Sequence, residues 1–560
     1  MKQTVSIILT ILLLLSLLTG CSTTSAASTA EKNETVATEN NNLGLSASTE
    51  AGNAPFSNIP QNFPDGNSGT FPGEPPQWDS SSEGTFPGQP PQWDGSSDGS
   101  FPGQPPQGNG GPGGSFPGQP PEGNGSSGGS FPGQPPQGNG KPDGMPGGNA
   151  PGSSSSKVNY SGASEIDSAD TQVNQTYVST ASDENALLIA TSDKVTVTNP
   201  TVTKTGDSDG GDNCNFYGLN AAVLVKDGAN VTITGGTITS SASGANGVFC
   251  YGGNGGKNGA SGDGTTVTIS DTTITTTGSG SGGIMTTGGG ITYATNLTVT
   301  TSGQSSAPIR TDRGGGTVYV DGGVYTSNGL GSPAIYSTAE IHVANATLVS
   351  NLSEGVCIEG KNSIELTDCD LTANNTKCNG NATFLDTIMI YQSMSGDADS
   401  GTSSFKMTCG TLTSKSGHVF HVTNTNAVIT LSGVSIVNED STNILLSVCS
   451  DGWSGAGNIA TLNASNQVLE GAILVGSDST LTLNLTDGSA FTGYIGGSIT
   501  NVKGTVVSSS VGTVNVALDE SSTWTLTADT YITTFSGKAA NIISNGYTLY
   551  VNGAALTGTK

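Results

Sequence analysis

One short motif recurs at a fixed spacing in the second half of the chain and restricts its fold more than any other feature. Its clearest copies, residues 318–324, 341–348 and 364–371, begin two equal steps of 23 residues apart. Within each copy apolar and polar residues alternate, as in a half-buried β-strand, and Gly, Asn or Asp interrupts the alternation. A unit this short cannot bury its own apolar side, so neighbouring units must stack on one another. The sequence therefore predicts an all-β solenoid.

A second, shorter apolar motif precedes most copies of the first, and together they predict the architecture of one coil. Its centre falls at Ile309, Ile335 and Ile358 on three successive coils. Each coil of about 23–24 residues thus contains two or three short strands that pair with their copies above and below. This pattern resembles the right-handed parallel β-helix of pectate lyases and of many bacterial surface adhesins. The predicted β-helix domain is residues 157–560. The resemblance covers about residues 160–560 and rests on the repeat rather than on catalytic motifs.

The composition agrees with this fold and argues against some partners. The chain of 560 residues contains 83 Gly, and only 11% of its residues are charged, compared with roughly 25% in ordinary globular domains. A β-helix tolerates this composition because each coil needs only a few inward apolar residues. The net charge of −27 argues against binding to nucleic acid and against electrostatic attraction to anionic lipid.

Residues 1–20 predict export and a lipid anchor. Lys2 supplies a short basic region, and residues 7–18 form an apolar run that is too short for an ordinary transmembrane helix. The run leads into the sequence LTGC, which ends at Cys21 and resembles the lipobox of bacterial lipoproteins. The resemblance implies cleavage before Cys21 and attachment of acyl chains, palmitate among them, to that residue. We therefore expect an extracytoplasmic protein that is anchored to the bacterial membrane and exposed at the cell surface.

Residues 21–156 are predicted to be a disordered tether. Five copies of a 15-residue repeat occupy residues 69–143, and each contains F-P-G-[QE]-P-P. The Pro pairs keep such a chain extended, and the Gly and Ser residues between them keep it flexible. The alternative is a series of ligands for domains with aromatic grooves.

The last coils, residues 512–560, resemble the closing coils of autotransporter passenger domains, without the membrane barrel that follows them in that family. Short strands there are rich in Thr, Val, Tyr and Trp. An open end of a strand stack invites further pairing. We therefore expect this segment to cap the β-helix.

The second motif also predicts a candidate binding face. Each of its strands has an inward apolar residue followed by a residue that points outward. The outward residues of successive coils are expected to form one column: Met285, Arg310, Tyr336, Glu359, Tyr391 and His421. Asp312, Arg313 and Lys361 lie beside this column in the sequence. Side chains of these types, spaced by about 4.8 Å, can stack on sugar rings and bond their hydroxyls. A solvated sheet face without a ligand is the alternative.

A possible Ca²⁺ site is predicted just before the first regular coils, and no other cofactor is expected. Asp207, Asp209 and Asp212 stand at positions 1, 3 and 6 of a segment that also contains glycines. Carboxylate oxygens at this density suit Ca²⁺, although the bidentate Glu of an EF-hand loop does not follow. A plain turn is the alternative.

The cysteines predict a candidate disulfide, with Cys214 and Cys250 as a weaker second pair. Eight cysteines include Cys21, which leaves an odd number in the remainder of the chain. Cys369 and Cys409 fall at similar turn positions of consecutive coils, where the separation of their Cα atoms would suit a disulfide. Buried free thiols are the alternative.

Three functions remain compatible with the sequence. The first is an adhesin-like, lipid-anchored protein, expected to be a monomer, that binds a polysaccharide or cell-wall glycan. The second is a polysaccharide lyase or hydrolase of the pectate-lyase-like class, for which carboxylates and basic residues are few. The third is a passive spacer of the cell envelope. We favour binding over catalysis, because no set of residues matches a catalytic motif.

Overall fold

The structure, a computed structural model, describes residues 158–209, 211–255 and 261–560. These residues form a parallel β-helix, in which strands of successive coils pair in parallel. The predicted fold class is therefore confirmed. The predicted signal peptide, Cys21 and the tether lie outside the described residues. Within the described part of the chain, no helix is long and apolar enough to cross a membrane.

Each regular coil contributes one strand to each of three sheets. In the described part of the chain, sheet 1 contains 13 strands. They are Gly162–Ile166, Asn185–Ala190, Val223–Lys226, Val248–Tyr251, Ile284–Thr287, Ile309–Thr311, Ile335–Ser337, Val356–Glu359, Asp386–Tyr391, His418–Thr423, Ile444–Val448, Ala472–Val475 and Ile495–Gly496.

Sheets 2 and 3 meet at a corner. Two long strands, Gly290–Thr301 and Gly316–Ser327, run through this corner and join both sheets into one sheet of 22 strands. The other strands of sheet 2 are Asp170–Val173, Lys194–Thr198, Asn230–Thr234, Thr266–Ser270, Glu340–Ala344, Ser363–Thr367, Thr402–Thr408, Thr425–Ser432, Asn458–Ser465, Ser479–Thr486, Thr513–Leu518 and Thr534–Ser536. The other strands of sheet 3 are Thr176–Ser179, Thr201–Lys204, Thr237–Ser240, Thr273–Thr276, Thr347–Ser350, Asp370–Ala373, Thr411–Ser414 and Ser435–Asn438. After Asn438 sheet 3 continues as a separate sheet of Val468–Glu470, Ala490–Gly493, Thr523–Leu526 and Ile542–Ile543.

The corner between sheets 2 and 3 explains why the motif is interrupted by Gly, Asn or Asp. Gly322, Asn345 and Asp368 occupy this corner on three successive coils, with φ angles of 72°, 54° and 50°. Most L-residues avoid this left-handed region, whereas Gly, Asn and Asp tolerate it. The chain can therefore turn there and resume a strand on sheet 3.

The core confirms the register that the repeat predicts. Val318 pairs with Ile341, and Ile341 pairs with Ile364, and all three side chains are buried inside the coils. Burial of each such side chain contributes about 1.5–3 kcal/mol to folding. One copy of the motif departs from the expected register, since Thr292 rather than Ile291 occupies the inward position.

Inserted segments lie over the outer side of sheet 1. Helix α1, Asp212–Tyr217, belongs to the first of them, and the hydroxyl of Thr287 donates to the carbonyl of Phe216 in this helix at 2.7 Å. The ring of Trp453, from another insertion, packs against Tyr391 with centroids 4.9 Å apart. Sheet 1 therefore does not present its outer side freely to solvent along these coils.

Antiparallel pairs appear only towards the end of the described chain. Strands Ser498–Thr500 and Val506–Ser509 pair in this way. The final sheet contains Thr530–Ile532, Leu549–Val551 and Ala554–Ala555, and its last two strands are antiparallel. A short 3₁₀ turn, Ala539–Asn541, lies between the first two of these strands in the chain. A capping role for residues 512–560 stays a prediction.

Candidate functional site

The predicted column on sheet 1 is two columns in the structure. Met285 pairs with Arg310 and Arg310 with Tyr336, as expected. The next rung is Cys357 rather than Glu359, and the column then passes through Met389 to His421. Glu359 and Tyr391 pair with each other two residues further along their strands.

The cause of this error is a shift of two residues. Strand Val356–Glu359 has two inward apolar residues, Val356 and Ile358, and either could continue the row of Ile335. Side chains of a strand alternate with a period of two, so a shift of two leaves the inward side unchanged. The alignment of Glu359 with Tyr336 was therefore wrong, although both point away from the core.

Both columns are covered by inserted segments. Met285, Arg310, Glu359, Tyr391 and His421 are buried, and Tyr336 is half-buried. These covering segments come from different coils, so the sequence pattern of sheet 1 itself contains no sign of them. Because the column is buried, a polysaccharide cannot lie along it in this structure. Glycan binding by these residues stays a prediction.

Glu359 is the centre of a hydroxyl cluster under this cover. Tyr336 and Tyr391 donate hydrogen bonds to its Oε2 atom at 2.6 and 3.1 Å, and Ser393 and Ser395 donate to its Oε1 atom. Burial raises the pKa of Glu359. The four donors occupy both carboxylate oxygens, as expected for a buried acid that helps to hold neighbouring coils together.

Two ion pairs lie beside this cluster. Arg310 Nη2 is 2.6 Å from Asp312 Oδ2, and both side chains are almost fully buried. Arg313 Nη2 is 2.5 Å from Asp397 Oδ1, and its guanidinium lies 4.0 Å from the centroid of the Phe216 ring. Burial raises the pKa of Asp312 to about 6.

The cavity between these groups is small. It has a volume of about 60 Å³ and is lined by Arg310, Asp312, Tyr336, Glu359 and Asp397, among others. A cavity needs roughly 10–15 Å³ of this kind of volume to hold one water molecule, so this cavity has room for a few waters. Lys361, the remaining predicted residue, lies on the surface and forms an ion pair with Asp399 at 2.9 Å.

His421, the last member of the predicted column, lies close to an acid. Its Nδ1 atom lies 2.8 Å from the hydroxyl of Ser447, and its Nε2 atom lies 3.5 Å from Asp451 Oδ2. His418 shares the same hydroxyl at 2.7 Å, and burial lowers the pKa of His418 to about 3. Ser, His and Asp are the residue types of a nucleophilic triad. Ser447, His421 and Asp451 are fully buried, so the structure offers a substrate no access to them.

The three aspartates of the predicted Ca²⁺ site do not converge. Asp207 accepts a hydrogen bond from the backbone N–H of Ser243 at 2.7 Å, whereas Asp212 lies in the first turn of helix α1 and is close to Arg313. In residues 158–209, 211–255 and 261–560, no group of three or more His, Cys, Asp or Glu side chains could hold a metal ion.

The predicted Cys369–Cys409 disulfide is wrong. Cys369 is a buried free thiol whose Sγ atom donates to the carbonyl of Val343 at 3.4 Å. Thr411 N–H donates to the carbonyl of Cys369, and the register places Gly410 rather than Cys409 beside Cys369. Cys409 is therefore one residue out of register with Cys369, and the two side chains do not lie opposite each other.

The structure has an exposed groove on the outer side of sheet 2, which was not predicted from the sequence. Tyr293, Tyr319 and His342 pair on successive coils, and their rings stack. Ring centroids are 5.2 Å apart in the first pair and 5.0 Å in the second, with planes within 9° and 11° of parallel. The two tyrosines are 43% and 40% exposed. They line a groove of about 410 Å³.

Polar groups continue the same column and line the other side of the groove. Glu365 and Lys406 follow His342 in register, and Lys406 Nζ is 2.6 Å from Glu365 Oε1. This hydrogen bond from Lys406 lowers the pKa of Glu365. His342 lies between two carboxylates, with Nε2 2.8 Å from Glu340 and Nδ1 3.2 Å from Glu365. Asp321 faces the rings across the groove.

The sequence did contain the signal for part of this groove. Tyr319, His342 and Glu365 each follow the first inward residue of the 23-residue motif. Tyr293 was harder to find, because its coil is shifted by one residue relative to the motif.

Comparison with known proteins supplies no relative from which a function could be transferred. No family model matches the chain, and neither a curated protein nor a solved structure matches it. The fold and the groove therefore define the class of this protein by themselves: a parallel β-helix with an exposed aromatic groove along one sheet. The likeness to pectate lyases and adhesins beyond this fold stays a prediction.

Proposed function

We propose that the protein is a lipid-anchored, cell-surface β-helical protein that binds a glycan in the groove of sheet 2. The stacked and exposed rings of Tyr293, Tyr319 and His342 carry this proposal. Tyr is frequent among the residues that dominate binding energy, because its ring offers a large apolar contact area and its hydroxyl a polar one.

The size of the groove supports a saccharide rather than an ion. Ligand sites commonly have volumes of about 300–1,000 Å³, and the groove has about 410 Å³. The groove lies along the coils, because its lining residues come from four successive strands of sheet 2. A linear polymer could therefore contact several coils at once.

The chemistry of the lining also fits a sugar. The rings of Tyr293, Tyr319 and His342 stack on one another and line the groove, so their edges are the parts that a ligand can contact. These edges offer dispersion contacts to the C–H groups of a sugar. Asp321, Glu365 and Thr367 supply acceptors and a hydroxyl for sugar hydroxyls. Carboxylates on both sides favour a neutral or basic glycan over an anionic one.

The location at the cell surface rests on the first 21 residues. Residues 1–20 resemble a lipoprotein signal peptide, and Cys21 is the residue that would carry the lipid. Metabolic labelling with a palmitate analogue tests this part separately. Labelled protein is expected from the native chain, and Cys21→Ser should abolish the label; a label that persisted in this variant would contradict the anchor.

A glycan array probed with the purified full chain tests the binding proposal. We expect binding to a limited set of polysaccharides, and Tyr319→Ala should reduce the affinity at least tenfold, because loss of a central aromatic contact costs about 2 kcal/mol. Tyr531→Ala is the matched control, since Tyr531 is also exposed and stacked on another ring, Tyr550, at 4.6 Å.

Two results would overturn the proposal. One is the absence of binding to every glycan on the array, and the other is equal loss in Tyr319→Ala and Tyr531→Ala. Release of unsaturated uronates or reducing ends from a bound polysaccharide, measured in the same samples, would favour the lyase or hydrolase alternative instead.

A further inference from the structure

The outer side of sheet 3 carries a regular array of threonines. In the described part of the chain, ten strands form this sheet from Thr176–Ser179 to Ser435–Asn438, and each directs two residues outward. Fourteen of these twenty outward residues are Thr, and four are Val, which has nearly the same shape. We call the twenty side chains, which form two columns, the threonine face.

The threonine face is in register from coil to coil. Thr237 pairs with Thr201 of the preceding coil and with Thr273 of the following one. The pairing continues without a register shift from Thr176 to Ser435. Equivalent side chains therefore repeat about every 4.8 Å across the strands, and the two outward residues of one strand are about 6.7 Å apart.

The threonine face is open to solvent and nearly uncharged. Thr237 and Thr239 are exposed, and Val178 and Val324 are 49% and 44% exposed. Asp370 is the one charged residue among the twenty described positions, although the whole chain has a net charge of −27. None of the twenty is aromatic.

These properties argue against a protein or a polysaccharide as the partner of this face. Ten strands and two columns make a strip of roughly 400 Å², whereas a stable protein interface buries about 800 Å² on each partner. Thr and Val are also under-represented among the residues that dominate binding between proteins. Aromatic rings, which would supply large contact areas to a sugar, are not among the outward residues.

A partner that itself repeats in two directions fits the face better. The two spacings of the side chains are close to the two repeats of the oxygen lattice on the prism plane of hexagonal ice. A Thr hydroxyl donates and accepts hydrogen bonds, as a lattice water does, and the methyl group adds dispersion contacts. A charged side chain would keep its own hydration water, and nineteen of the twenty positions avoid one.

We propose that the threonine face binds the surface of ice crystals. Hydroxyl and methyl groups of successive coils hold water at ice-like spacings, and this water joins the lattice of the crystal. Each Thr contributes little, but the side chains of ten coils act together on one rigid surface, so the bound chain blocks further growth. The face lies on a different sheet from the groove of sheet 2, and it does not depend on the binding of a glycan there.

Two measurements with the purified full chain test the proposal. One is the fraction of the chain that enters slowly growing ice, and the other is the lowest concentration that stops the recrystallisation of ice in a frozen film. We expect the native chain to be enriched in the ice and serum albumin to remain in the liquid. Neither measurement contains a glycan, so its result is independent of the glycan array.

Protein variants locate the binding. Thr239→Lys places a charge within the longest run of Thr-x-Thr strands, and it should raise the concentration that stops recrystallisation at least fivefold. Thr232→Lys is the matched control, because Thr232 points outward from sheet 2 on the same coil; a change of less than twofold is expected. Thr239→Val keeps the shape and should also change it less than twofold. Thermal unfolding followed by circular dichroism reports whether each variant keeps the fold.

Three results would overturn the proposal. The native chain is excluded from ice, Thr239→Lys is as active as the native chain, or Thr239→Lys and Thr232→Lys lose activity equally. Two other occupants have their own signatures. If the native chain is excluded from ice but sediments with microcrystalline cellulose, and Thr239→Lys does not, the occupant is a crystalline polysaccharide. If light scattering shows a native dimer that Thr239→Lys dissociates, the occupant is a second copy of this chain. In either case ice is the wrong partner.

Discussion

The buried ion pair between Arg310 and Asp312 allows one prediction to be worked out in detail. Replacement of Arg310 by Leu would leave the Asp312 carboxyl buried without its cation, next to Asp397. Removal of one partner from a buried pair typically costs about 3–5 kcal/mol. We therefore expect Arg310→Leu to lower the free energy of unfolding by about 4 kcal/mol at pH 7.

The pH dependence of this variant has a definite sign. Burial raises the pKa of Asp312 to about 6 from the ordinary value of 3.8, so between these values the folded state binds the proton more tightly than the unfolded state. Asp312 therefore favours the folded state as the pH falls through 6 and disfavours it as the pH rises. Loss of Arg310, which lowers this pKa in the native chain, should raise it further. Arg310→Leu should consequently recover stability at pH 5.

Urea unfolding of the full chain at pH 7 and pH 5, followed by circular dichroism, measures both effects. Lys361→Leu is the matched control, because Lys361 forms an exposed pair with Asp399, and exposed pairs contribute about 0–1 kcal/mol. If Arg310→Leu costs no more than Lys361→Leu at pH 7, or if acid destabilises it more than the native chain, the assignment of a buried and dependent ion pair is refuted.

Two further predictions concern the core. Leu366→Ala should lower the free energy of unfolding by about 2–5 kcal/mol, because Leu366 is fully buried between coils. Val324→Ala, at an exposed position, should change this free energy by less than about 0.5 kcal/mol. Equal losses of the two variants in urea unfolding would contradict the inward register. Cys369 should react with a maleimide reagent much more slowly in the native chain than in urea without reductant, because burial shields this thiol and raises its pKa. In the native chain Cys369 should also react more slowly than Cys378, whose pKa is raised too but which is only half-buried. Peptide mass spectrometry measures both rates. Failure of Cys369 to react in urea would restore the disulfide that the structure argues against.

Much of the fold was accessible from the sequence because a β-helix is built from local repeats. Each coil contacts mainly its neighbours, so the inward positions, the spacing and the pairing of Val318, Ile341 and Ile364 follow from the motif. The residues at the corner were visible too, since Asn345 and Asp368 stand where the chain needs a left-handed conformation. The interruption of sheet 3 after Asn438 left no comparable signal, because Val468–Glu470 continues the usual alternation of a strand.

The predicted sites failed for reasons that are also physical. Glu359 was placed in the wrong column because a strand looks the same after a shift of two residues. The disulfide failed because an offset of one residue at a turn changes the direction of Cys409 relative to Cys369. Alignment by apolar pattern alone cannot resolve either shift.

The sequence by itself determined the stack of coils and the side of each strand that faces the core, since both depend on the periodicity of neighbouring residues. Only the tertiary structure decided which outer surface is available to a partner. Insertions from several coils fold over sheet 1 and bury Arg310 and Glu359, while the rings of Tyr293 and Tyr319 on sheet 2 stay exposed. Contacts of this kind join residues that are far apart in the chain, and no local pattern records them.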